Sequence, residues 1–536
     1  MKKVKAIALL LTFSLLLSLT LIGCGSSGNA GETTAVATAG TSAATDAASA
    51  ATVFTPDISK EVKIKYYHIG GKSPQEDEVL ANLNTKLKAK INATLEVDYL
   101  SWGDAWTQGP LLFASGEDFD MIFCAPWFLF SDQGRKGAYK ELNDILPKYA
   151  PEIWSKCPAV GWEQASLDGK IYAIPQYEVN FALFHGMVYR EDLRKKYGVP
   201  EIKKLTDFEA YFEAIKKNEP KMVPWAADDQ SYANFCNMYV MENTNLTHQG
   251  TEEFGFWYDM NEANPKVLYG GFLPELDQFV TLAKKWADAG YWSKNALSNK
   301  TLAADSYKAG ISGIAGQNTA NMEDCYKGLY EKDPAAETGF YINWSKDGKV
   351  DRRAIFSNGV AINANSANPE RAVMLVEALM YDPEIYEAGI FGIEGKTFVK
   401  NEKGLYQRPE GAKDGESWGF GSMYGMGITN YKLEPLDTSK DSPDYINKYY
   451  NMDYYNQFAV DCALTGFSFD NSNVKAETAA LTEVNNQYSP ILVMGLAKDP
   501  TALLAEFRAK LKEAGYERVQ EEFQKQVDAF VAAKKK

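Results

Sequence analysis

Two apolar rhythms alternate along this 536-residue chain, one of period two and one of period 3.6. Val62-Lys63-Ile64-Lys65-Tyr66 alternates like a strand and runs into a polar loop at 68–72. Over 75–89, Val79, Leu80, Leu83 and Leu87 recur at helical spacing. Residues 95–99 read as a second strand and 121–124 as a third, buried one. Strands alternating with helices predict an α/β domain with a parallel sheet. Ligands of such sheets sit beyond the C-terminal strand ends, which puts loops 68–72, 101–106 and 125–130 on one rim. Residues 172–175 read as a strand closing this first unit, and 187–189 as one opening a second. Helices are predicted over 207–217 and 276–289, a hairpin over 343–350 with Asp347-Gly348 as its turn, and a buried strand at 360–362. Asn368-Pro369-Glu370 starts a helix that carries Val373, Met374, Val376 and Leu379. Two amphipathic helices fill 502–533, broken at Ala514-Gly515.

The start of the chain follows neither rhythm. Lys2, Lys3 and Lys5 precede an apolar run over 6–22, interrupted only by Thr12, Ser14, Ser18 and Thr20. It stops at Gly23-Cys24, a small residue followed by the one residue type that can take a diacylglyceryl group. This is the pattern of a lipoprotein signal peptide over 1–23, with Cys24 as the lipidated N-terminus. The stretch 24–55 is a tether, since from 25 to 53 all but Asn29, Glu32, Val36, Asp46 and Val53 are Gly, Ala, Ser or Thr. As a coil it spans roughly 30 Å. The expected location is the outer face of the cell membrane, held by lipid.

The formal charge of -15 and only three His argue against nucleic acid, which calls for clustered Lys and Arg. Cys124, Cys157, Cys236, Cys325 and Cys462 are odd in number and without CxxC spacing, so they read as buried free thiols. His68, His185 and His248 form no HExxH pattern. No metal or cofactor is expected.

Several blocks resemble the extracellular solute-binding proteins of sugar ABC transporters. Asp168-Gly169-Lys170-Ile171-Tyr172-Ala173-Ile174-Pro175 matches their hinge-proximal "dGkiYaiP", and the segment 114–120 is similar to their "asG…fD". Residues 306–312 correspond to "f..Gk.a", and Asn358-Gly359-Val360-Ala361-Ile362 with Asn368-Pro369-Glu370-Arg371-Ala372 to the return strand and "npErA" helix. Phe391-Gly392-Ile393-Glu394-Gly395-Lys396 is similar to "yGiEGk" of the LipO-like lipoproteins. Residues 466–470, 474–477, 511–515 and 524–528 resemble that subgroup's C-terminal domain of unknown function. One position departs: the Tyr that follows Trp-Gly-Asp in the subgroup is Ala105 here.

The resemblance implies a two-lobe, periplasmic-binding-protein-like fold of type II with a helical C-terminal extension. Lobe one would be 56–176 with 358–400, lobe two 177–357 with 401–465, and the extension 466–536. It implies a monomer that closes on an oligosaccharide and delivers it to ABC permease subunits in the membrane. A site for sugar combines aromatic platforms for C–H faces with polar groups for hydroxyls. Candidates are Trp127 and Tyr177 after predicted strands, Trp225 at the end of the strand-like stretch 222–225, Trp344 in the hairpin and Trp418 in a Gly-rich stretch, with Asp104, Asn180, Gln317, Asn318, Asn358 and Glu394 as polar partners. Trp127, Tyr177 and Trp225 are expected to line the cleft together. A peptide binder or sensor ectodomain would share the fold. A secreted glycoside hydrolase would need two carboxylates across a cleft. With 71 Asp and Glu, chance pairs decide nothing, and neither Ser166 nor Ser312 sits in a GxSxG elbow.

Overall fold

The computed structural model describes residues 54–177, 186–228, 234–249, 255–316, 318–352, 354–407, 409–411 and 457–534. The leader, Cys24 and the tether lie outside them, as do Asn180, Gln317 and Trp418.

Two sheets organise the described chain. The first contains β1 (Val62–Ile69), β2 (Ala93–Leu100) and β3 (Met121–Cys124), then the strands Gly359–Ile362 and Ile174–Pro175, in the order β2, β1, β3, 359–362, 174–175. β1 is parallel to both β2 and β3, while Gly359–Ile362 runs antiparallel to β3 and to Ile174–Pro175. Gly359 faces both Cys124 and Pro175. One edge of this sheet therefore collects the ends of β1, β2 and β3 and the chain crossings beside Pro175 and Gly359. The strands approach closely there: a Cβ on Gly359 would lie 2.4 Å from the Ile174 carbonyl oxygen.

α1 (Glu76–Ile91) packs Val79, Leu83 and Leu87 on this sheet and ends at Asn92 in the left-handed region. The helix Pro369–Tyr381 buries Val373, Val376 and Leu379 beside it. Its Arg371 donates to the Ile91 and Asn92 carbonyls at 2.5 and 3.0 Å, satisfying acceptors at the end of α1. Asp120, just before β3, accepts from Lys65 N at 3.0 Å and Ser366 Oγ at 2.6 Å. It ties β1 to the loop that leads into that helix.

The second sheet has the order Thr338–Ile342, Gly186–Arg190, Ser312–Ala315, Val223–Trp225. Gly186–Arg190 is antiparallel to both of its neighbours, and Ser312–Ala315 is parallel to Val223–Trp225. Trp225, Ala315, Ile342 and Gly186 thus end on a common edge. The expected hairpin over 343–350 is not formed. Its turn exists, with Gly348 N donating to Ser345 O at 2.8 Å, but Val350–Asp351 leaves to pair in parallel with Ala459–Val460.

The C-terminal region is helical: Lys475–Val493, Pro500–Glu513 and Tyr516–Lys534. The first of these carries Pro490 and the polar Asn485-Asn486-Gln487, which mask its helical rhythm in sequence. These helices share cores with the second sheet's unit rather than forming a body of their own. Leu492, Phe507 and Leu511 bury with Leu276, Phe279 and Ala283, and Phe523, Val527 and Val531 with Trp257 and Tyr258. All five described cysteines are free and buried, as their spacing implies. Among the described residues no helix is long and apolar enough to cross a membrane.

Candidate functional site

The shared edge of the first sheet carries a cluster of three tryptophans. After β2, Ser101 Oγ donates to Asp104 Oδ2 at 2.8 Å and Ser101 O accepts from Asp104 N at 3.0 Å, bending the chain into α2 (Ala105–Ser115). This bend puts Trp102 on the loop and Trp106 on the first helical turn, 42% and 53% exposed. Ala105 faces inward with no exposed surface. After β3, Ala125 and Phe128 exchange backbone hydrogen bonds of 2.9 and 2.8 Å, and this tight loop projects Trp127. Leu129 closes it at φ 62°, a left-handed conformation costing a non-glycine residue about 1–2 kcal/mol. The Tyr139 hydroxyl donates to its carbonyl at 3.0 Å.

The three indoles form a nearly equilateral group, with ring centroids 6.3 Å apart for Trp102 and Trp106, 6.2 Å for Trp102 and Trp127, and 6.4 Å for Trp106 and Trp127. Trp102 and Trp127 are within 17° of parallel. Phe123 backs Trp127 at 5.5 Å, and His68 lies against Phe123 at 5.3 Å. His68 is fully buried. Its Nδ1 is 3.0 Å from the Tyr66 hydroxyl and its Nε2 has no partner among the described residues. Burial holds its pKa down at about 3, so the ring under the cluster is neutral at ordinary pH.

Trp127 also meets the chain crossing at 357–358. Its Nε1 donates to Ser357 O at 2.9 Å and Asn358 Oδ1 at 3.3 Å. Asn358 O accepts from Gln176 N at 2.8 Å, and Asn358 Nδ2 donates to Gln176 Oε1 at 3.4 Å. Asn358 therefore orients Trp127 at the point where the chain passes between the two sheets. Exposed indole faces can stack on the C–H faces of a pyranose, and the exposed Asp104 carboxylate on the same loop can accept from hydroxyls. Among the described residues no group of three or more His, Cys, Asp or Glu could hold a metal ion.

Trp127, Asp104 and Asn358 are thus gathered on one rim, and Trp102 and Trp106 join them, though neither was singled out from sequence. The signal was available: two Trp four residues apart flank Gly103-Asp104 at a predicted strand end.

The expectations for Trp225, Tyr177 and Asn318 need correction. Trp225 is 1% exposed and sits in the second core, with Phe235 at 4.6 Å and Trp292 at 5.4 Å, so no ligand face is free. Tyr177 turns its hydroxyl onto the Tyr381 hydroxyl and, at 3.4 Å, the Ile153 carbonyl, packing on the first core instead of joining the indoles. Asn318 uses its Oδ1 to cap the helix Thr319–Lys332, accepting from Asn321 N at 2.9 Å. Glu394 is exposed on a turn tied to α1 by the Lys396–Glu78 ion pair. Trp344 is half-buried where Thr338–Ile342 ends, edge-on to Phe458 at 5.3 Å.

Residues 82–393 match the family described as bacterial extracellular solute-binding protein, and residues 463–532 match a domain of unknown function, DUF3502. A carbohydrate ABC transporter substrate-binding protein of Streptococcus pneumoniae serotype 4 is 25% identical over 503 residues, covering 89% of this chain and 93% of that one. The N-glycan transport solute binding protein NgtS of Streptococcus pneumoniae, solved in complex with Man5GlcNAc, superposes with a TM-score of 0.68 at 24% identity, over 89% of this chain and 99% of that one. An HMO-binding, ABC-transporter-associated solute-binding protein of Bifidobacterium longum infantis gives a TM-score of 0.62 at 16% identity, over 88% and 99%. The two structures share the fold: two α/β lobes with a helical C-terminal region.

Proposed function

Because the chain belongs to the bacterial extracellular solute-binding proteins, we propose that it captures an oligosaccharide between its two lobes and delivers it to the permease of an ABC importer. The observation that carries this reading is the cluster of exposed Trp102 and Trp106 with half-buried Trp127 at the crossing between the lobes. Three adjoining indoles make a platform broader than one sugar ring, which suits a chain of sugars. The relatives transport or bind carbohydrate, and that supports the same class here. Contacts made by both lobes in the closed form and by one in the open form would pull the population toward closure.

The test is calorimetric titration of the purified protein with Man5GlcNAc, alginate and fructan oligosaccharides, with peptides as controls. One oligosaccharide class should bind one to one, reduce the radius of gyration in small-angle scattering, and be recovered intact by mass spectrometry. Binding only to peptides, or reducing ends released in proportion to protein, would overturn the reading.

The family works outside the cytoplasmic membrane, and the lipid anchor is our finer proposal. It rests on the lysines, apolar run and Gly23-Cys24 of the leader. Cys24→Ala should abolish palmitate labelling of the protein in growing cells, and unchanged labelling would exclude Cys24 as the attachment point.

A further inference from the structure

The segment 466–470, which opens the domain of unknown function, is built into lobe two and reaches lobe one. Phe467 and Phe469 pack on Phe523 of the last helix at 5.2 and 4.8 Å. Gln526 of that helix binds the Asp470 backbone twice: its Nε2 donates to Asp470 O at 2.8 Å, and its Oε1 accepts from Asp470 N at 2.9 Å. The segment is thereby fixed to the C-terminal helices.

The Ser468 and Asp470 side chains point the other way. The Ser468 hydroxyl is 2.6 Å from that of Ser131, and the Asp470 carboxylate is 3.7 Å from the Arg135 guanidinium. Ser131 and Arg135 lie on α3 (Phe130–Arg135), the helix that continues directly from the Trp127 loop. Phe130 at its start rests edge-on against Phe356 of the crossing, at 4.7 Å. Gln164 of lobe one completes the junction, accepting from Phe356 N at 2.9 Å. It lies under Gly466, which is at φ 84° and where a Cβ would come within 2.6 Å of Gln164 Cγ.

We infer that the C-terminal domain is a brace across the hinge, in which Ser468 and Asp470 hold α3, and with it the Trp127 loop, in the arrangement that leaves the tryptophan platform open. The inference rests on the two-lobe closing described above. Lobe one turns about Gln176 and Ser357–Asn358. The segment 466–470 is rigid with lobe two, so that rotation moves Ser131 and Arg135 past Ser468 and Asp470. A hydrogen bond and a half-exposed ion pair present in the open arrangement and lost in the closed one bias the equilibrium by about two- to tenfold. The brace residues touch no ligand and act as positioning residues.

The test uses the full chain without ligand, carrying Cys24→Ala and a pair of labels at Ala89→Cys on α1 and Tyr330→Cys on lobe two. Both sites are exposed, and the described native thiols are buried. Distances between the labels are read by pulsed dipolar spectroscopy. Ser131→Ala with Arg135→Gln, and separately Ser468→Ala with Asp470→Asn, should each raise the closed-to-open ratio by about two- to tenfold. The two pairs combined should give no further shift, because they remove the same contacts. Raising the ionic strength on the otherwise unaltered labelled protein should move the ratio the same way by a smaller factor, since it screens only the ion pair. An unchanged distribution in either double variant, or additive shifts, would overturn the brace. Because no sugar is present, failure here leaves oligosaccharide capture standing. Failure of every sugar to bind leaves this result standing in turn.

Discussion

Trp102→Ala and Trp106→Ala should each weaken oligosaccharide binding by about 1–3 kcal/mol, or roughly five- to two-hundredfold in Kd, while leaving stability nearly untouched. Both rings are about half exposed, so their removal empties little of the core. Trp127→Ala should lose as much binding and also some stability, because its ring is backed by Phe123 and Phe128 and its N–H is held at Ser357 and Asn358. Truncating all three should leave no binding measurable by calorimetry. Phe at Trp102 or Trp106 should restore part of it, since a smaller aromatic face still stacks. Wild-type affinity in both single variants would remove the platform from the site.

Trp225→Ala should do the reverse, with a loss of about 3–5 kcal/mol of stability and unchanged affinity in whatever fraction remains folded. The ring fills the second core between Phe235 and Trp292, and the strand that carries it is tied to Tyr291 O through Trp225 N at 3.0 Å. Urea unfolding with a glycan titration at low temperature separates the two effects. A variant that unfolds at the wild-type midpoint but no longer binds would return Trp225 to the cleft.

The contrast between Trp225 and the rim tryptophans shows where sequence reading stops. Its strand and the strand's edge were legible from the short apolar run Met222-Val223-Pro224-Trp225. The buried side of the ring was not, because it is set by Phe235 and Trp292, which arrive from later elements. The first sheet was legible for the opposite reason: β1, α1 and β2 are consecutive, so each carries its own rhythm and partner nearby. The blocks that carry the family resemblance include residues with structural tasks. Asp120 ties β1 to the 366 loop, Arg371 holds the end of α1, and Gln526 pins Asp470. Such residues identify the fold without marking the ligand. The rim tryptophans lie among residues that bend a loop, and only the folded edge shows Trp102, Trp106 and Trp127 meeting. The hairpin failed because its return strand found a partner at Ala459–Val460, far along the chain.

The order of strands in the first sheet has a consequence for biogenesis. Gly359–Ile362 lies between β3 and Ile174–Pro175, yet it is made long after either. Until it emerges from the ribosome, lobe one has two exposed strand borders and an unfilled slot. A chain made from its N-terminus cannot complete this sheet early, and non-local pairing of this kind is intrinsically slow. That delay suits a polypeptide that has to be threaded across a membrane as an extended strand. The interleaved topology postpones its own knitting until the strand 359–362 has been delivered to the far side.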